Sequence, residues 1–76
     1  MTLKKMKTKS LLCYSDLEYN RNLGLPIEVF CPLQKETVAF GRIEALSKNG
    51  VIVNQFIYPN HRFIFFGLTK QQMLYL

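Results

Sequence analysis

Few side chains in this 76-residue chain could carry reaction chemistry: one His, two Cys and five Asp plus Glu. His61 stands in the run Tyr58, Pro59, Asn60, His61, Arg62, with no acidic neighbour in sequence to orient it as a general base. A Ser or Cys nucleophile therefore has no obvious partner. Cys13, Cys31 and His61 lack the recurring spacing of a zinc site, and the two thiols lack the short spacing of a redox pair. Both cysteines read as small apolar side chains of a core. Gly24, Gly41, Gly50 and Gly67 are isolated, so no glycine-rich phosphate loop is present. The sequence predicts a protein without catalytic function, metal or cofactor.

The same run reads differently as a binding surface. Tyr58, His61 and Arg62 place a phenol, an imidazole and a guanidinium around Asn60, groups that stack on and contact unpaired bases. They are the candidate contacts to single-stranded RNA or DNA; a plain polar turn is the alternative. Net charge is +5, and Lys4, Lys5, Lys7 and Lys9 supply four of those charges before position 11, leaving six bases and five acids in the remainder. Residues 1–10 read as a flexible basic tail, either simply solvated or touching phosphate in a salt-dependent way.

Phe63, Ile64, Phe65 and Phe66 form a strand-like run that is apolar on both faces. An antiparallel strand usually keeps one wet face, so the run predicts a cover on the second: a homo-oligomer interface or a protein partner. A protein–protein adaptor is thus the second functional reading. No apolar stretch approaches the ~20 residues of a membrane span, and Tyr14, Ser15, Asp16 and Glu18 interrupt any secretion signal after Leu11 and Leu12. The sequence reading is cytoplasmic, with no membrane partner.

These residues need a scaffold, and 76 residues supply one small domain, expected over 11–76. Ser15, Asp16, Leu17 and Glu18 have the form of a capping box, which predicts a short helix stopped by Gly24. Alternation predicts a strand over 27–31, and a longer one over 37–46 with Gly41 as a bulge or bend. Ser47, Lys48, Asn49 and Gly50 predict a hairpin turn, because Asn-Gly accepts left-handed dihedrals. Residues 51–58 and 62–68 read as the next strands. Thr69 and Gln72 could cap a helical turn, but residues 73–76 are read as a closing strand. The predicted fold is mainly β: a small, bent antiparallel β-barrel, SH3-like or Sm-like, of four or five strands after a short N-terminal helix.

In order, the helix, Ile27 to Phe30, Gly41-Arg42-Ile43, Val51-Ile52-Val53 and Tyr58 followed by His61 resemble the layout of Sm-like proteins, in particular the bacterial Sm-like RNA chaperones. That resemblance implies a helix and five bent strands, ring assembly through edge strands, and single-stranded RNA bound by the turn carrying Tyr58 and His61. Ser47 to Gly50, with Arg21 upstream, is also similar to half of the nucleotide-binding motif of PilZ domains, which implies a cyclic-dinucleotide ligand.

Overall fold

A computed structural model describes residues 9–11 and 13–73 of the chain. Its elements are β1 (Lys9–Ser10), α1 (Tyr14–Leu23), β2 (Pro26–Cys31), β3 (Glu36–Leu46), β4 (Gly50–Val53), β5 (Phe56–Pro59), β6 (Ile64–Gly67) and α2 (Lys70–Met73). The strands pair antiparallel in the order β1-β6-β2-β3-β4-β5. The protein is therefore mainly β, as predicted, but the sheet is open: β1 and β5 end it and do not meet, so the expected closed barrel of four or five strands is not formed.

In β2 the alternation read from sequence is the alternation observed. Ile27, Val29 and Cys31 are buried while Glu28 and Phe30 are half-buried. Val29 lies opposite Phe65 on β6, and both join Leu11, Leu17, Ile43, Val51 and Val53 in one core. A side chain buried as fully as Ile27 or Val53 contributes ~1.5–3 kcal/mol relative to solvent exposure. β3 changes partner just past Gly41: it pairs with β2 up to Arg42 and with β4 from Ile43, with a bulge between Ile43 and Ala45. The ladder passes through Gly41 itself unbroken, opposite Ile27. Gly41 instead admits the β4–β5 turn, since a Cβ there would sit 2.7 Å from Asn54 Oδ1.

That turn was not foreseen. Residues 51–58 form two strands, β4 and β5, folded back through Asn54 and Gln55 at φ of 51° and 70°. Two successive positive φ values define the turn whose twist matches that of a hairpin. The Ser47–Gly50 hairpin is present for a different reason from the one expected. Among the described residues Gly24 is the one glycine with positive φ. At Gly50 a Cβ would meet the Tyr58 carbonyl oxygen at 2.5 Å, so Gly is needed for close approach.

Both helices depart from expectation at their starts. α1 begins at Tyr14 after an N-cap at Cys13 that makes no side-chain cap, and Gly24 ends it in the left-handed region as predicted. The Asp16 carboxylate caps α2 instead, accepting from the Lys70 backbone amide at 2.9 Å. At α2, Thr69 and Gln72 form a reciprocal capping box: Gln72 N donates to Thr69 Oγ1 at 3.2 Å and Thr69 N to Gln72 Oε1 at 2.8 Å. The segment read as a closing strand thus begins helical, and residues 74–76 lie outside the described residues. The tail expected over 1–10 loses Lys9 and Ser10 to β1, with Leu11 donating to the Phe65 carbonyl at 2.7 Å. Lys4, Lys5 and Lys7 lie outside the described residues. Among those residues, no helix is long and apolar enough to cross a membrane.

Candidate functional site

Two turns meet at one end of the sheet. In the first, Ser47 Oγ accepts the backbone amides of Asn49 (3.3 Å) and Gly50 (3.1 Å) and donates to the Gly50 carbonyl, which fixes the loop carrying Lys48. In the second, the Pro59 carbonyl accepts from Arg62 N at 3.1 Å and Phe63 N at 3.2 Å. Asn60 N donates to the Asn49 carbonyl at 3.1 Å, and Asn60 Nδ2 reaches the Lys48 carbonyl at 3.4 Å. Lys48 is thereby brought beside the turn that holds His61 and Arg62, and all three are exposed.

Neither turn contains an acid. The five carboxylates lie on α1 (Asp16, Glu18), β2 (Glu28) and β3 (Glu36, Glu44), and three of them are engaged there. Glu28 accepts from Thr37 Oγ1, Glu44 from Gln55 N, and Asp16 from Lys70 N. The two-turn end is consequently a basic patch. Lys48 was missed in the sequence because it sits ten or more positions from His61 and Arg62, and its role there looked like that of a hairpin residue.

Tyr58 belongs elsewhere. It lies opposite Val51 on the inner face of the sheet, half-buried against the core, with its ring edge-on to Phe63 at a centroid distance of 5.2 Å. Its ring packs on Phe63 and keeps part of its surface exposed. The run of Phe63, Ile64, Phe65 and Phe66 also divides: Phe65 is a core residue at 4% exposure, Phe63 packs on Tyr58, and Ile64 and Phe66 are half-buried on the outer face. There Phe66 meets Phe30 edge-on at 6.1 Å. Cross-strand aromatic contact thus covers part of the second face for which a partner subunit was expected.

Next to the basic patch a groove of about 430 Å³ opens between β1, α1 and the start of β6, lined by Ser10, Leu11, Tyr14, Leu17, Asn60, Phe63, Ile64 and Phe65. Its size falls within the ~300–1,000 Å³ range of small-ligand sites. Tyr14 is exposed at its mouth, and Asn60 joins it to the two-turn end. In the sequence Tyr14 stands out only as one of the residues that interrupt a secretion signal, and no local feature marks it as part of a site.

The thiols separate as well, Cys31 buried and Cys13 exposed. Among the described residues no group of three His, Cys, Asp or Glu side chains comes together. Ser47 and Gly50, the half-motif similar to PilZ domains, both serve the turn, and the Arg21 guanidinium donates to Asn22 on α1. Comparison of the chain with protein-family models, with curated proteins and with solved structures finds no match.

Proposed function

We propose that this chain is a non-catalytic binding module for single-stranded RNA or DNA, with phosphates at Lys48, His61 and Arg62 and a base seated in the adjoining groove against Tyr14. The observation that carries this reading is the Asn60–Asn49 bond, which joins two acid-free turns into one basic end beside an aromatic groove. A nucleotide offers the complementary pair of features, a flat apolar ring and an anion, and single strands present both without unpairing a duplex. Lys4, Lys5, Lys7 and Lys9 would add sequence-independent attraction. A cytoplasmic location is part of this proposal, since two cysteines without a disulfide scaffold's spacing suit a reducing compartment.

Polarisation of a labelled mixed single-stranded oligonucleotide tests this. Binding should be present at low salt and fall steeply as salt rises, with a slope of ~0.7 per phosphate contact. A second reading, a protein–protein adaptor, draws on Phe40 and Phe56, which are 65% and 66% exposed. Absence of oligonucleotide binding at low salt would favour it.

A further inference from the structure

Independently of that reading, we propose that the free edge of β5 is where two copies of this chain pair, antiparallel and about a twofold axis at Ile57. Of the sheet's two end strands, β1 is two residues long, Lys9 and Ser10, and carries a lysine, whereas β5 is four residues long and uncharged. A head-to-tail contact of β5 with a neighbour's β1 would pair two residues, one of them a lysine, whereas β5 facing itself engages its whole uncharged length. A self-facing edge closes as an isologous dimer.

The hydrogen-bond phase of the β4–β5 hairpin selects the register. A two-residue turn at Asn54 and Gln55 makes Val53 and Phe56 a mutually bonded pair, as are Val51 and Tyr58 two steps on. Ile57, between them, directs both its N–H and its C=O away from β4. Pro59 has no N–H, and its carbonyl already serves Arg62 and Phe63. Ile57 against the partner's Ile57 is therefore the register in which both outward groups of each strand are used. It also sets Phe56 against the partner's Tyr58, twice by symmetry.

The side chains agree with the backbone. Phe56 lies on the same face as buried Val53 opposite it, yet is 66% exposed, because among the described residues no strand continues the sheet beyond it; Ile57 is 53% exposed on the other face. β5 carries no charged residue to discourage a second strand. Four residues of edge bury far less than the ~800 Å² per partner of a standard stable interface, so the dimer forms in a concentration-dependent way.

The test is a thiol placed on the axis. In a Cys13→Ser background, Ile57→Cys should form a disulfide-linked dimer of twice the 8.9 kDa chain mass under mild oxidation, since bonded antiparallel partners have Cα atoms ~5.5 Å apart, within disulfide reach. Leu33→Cys, 84% exposed on the β2–β3 turn, should crosslink at least tenfold more slowly. The unmodified chain should pass from monomer towards dimer as its concentration is raised from the micromolar to the millimolar range in sedimentation, and Ile57→Lys should remain monomeric with an unchanged circular dichroism spectrum. Equal crosslinking at Ile57→Cys and Leu33→Cys, a constant monomer mass, or species larger than a dimer would overturn the proposal.

Discussion

The side-chain amide of Asn20 donates to the carbonyl of Leu68, 48 positions later, at 2.7 Å, and to the Asp16 carbonyl at 2.8 Å. Asn20 is fully buried, and this pair of bonds ties α1 to the chain leaving β6. Asn20→Ala would leave the carbonyl of half-buried Leu68 without that donor, at a cost of ~0.5–1.5 kcal/mol. For a domain of this size each kcal/mol moves the melting temperature by ~4–8 °C. Calorimetry should show that drop, and Asn20→Asp, which aims a carboxylate at two carbonyl oxygens, should lower the midpoint further. An unchanged midpoint for both would remove Asn20 as the clasp.

The glycines are separable by what each one avoids. Gly50→Ala would set a methyl 2.5 Å from the Tyr58 carbonyl oxygen, so β4 and β5 must part, at ~1–3 kcal/mol. Gly24→Ala meets nothing within 4 Å and is penalised by its φ of +66° alone, ~1–2 kcal/mol. Amide exchange tells the two apart: Gly50→Ala should accelerate exchange along β4, whereas Gly24→Ala should act at the end of α1.

Gln55 adopts φ of 70° without being Gly or Asn. Gln55→Gly supplies the Asn-Gly pair that such a turn favours and should raise stability by up to ~1 kcal/mol in urea unfolding. A loss of stability would mean the turn is not of this type.

Packing and binding should separate between Tyr58 and the basic patch. Tyr58→Ala removes the edge-on contact with Phe63 and part of the core wall, at ~1–3 kcal/mol in thermal unfolding. Lys48→Ala and Arg62→Ala are surface changes that should keep stability within ~0.5 kcal/mol while each lowers the salt slope of oligonucleotide binding by ~0.7 to 0.9. Salt slopes equal to that of the unchanged chain would take the phosphates away from this end.

Legibility followed the range of the interaction. β2 was readable because alternation in Ile27, Val29 and Cys31 records one buried face directly, and the end of α1 because Gly24 occupies a position that favours glycine. The β4–β5 turn was not, since Asn54 and Gln55 take left-handed dihedrals that Gln seldom adopts, and the uninterrupted apolar pattern hid the reversal. The role of Asp16 was not legible because its partner, Lys70 N, lies 54 positions away. The site was half legible for the same reason. His61 and Arg62 announced themselves as neighbours, whereas Lys48 and Tyr14 join them only once the turns dock and α1 packs on β3 and β2, which leaves Tyr14 lining the groove beside the start of β6.

The basic end and the groove beside it carry the proposed binding, and amide chemical-shift mapping during titration with a short single-stranded oligonucleotide at low salt tests that binding most directly. The shifts should concentrate on Lys48, Asn60, His61, Arg62 and Phe63, extend to Ser10 and Tyr14 in the groove, and fade as salt is added. Shifts confined to β2, β3 and the outer face around Phe40, or none at all, would contradict it.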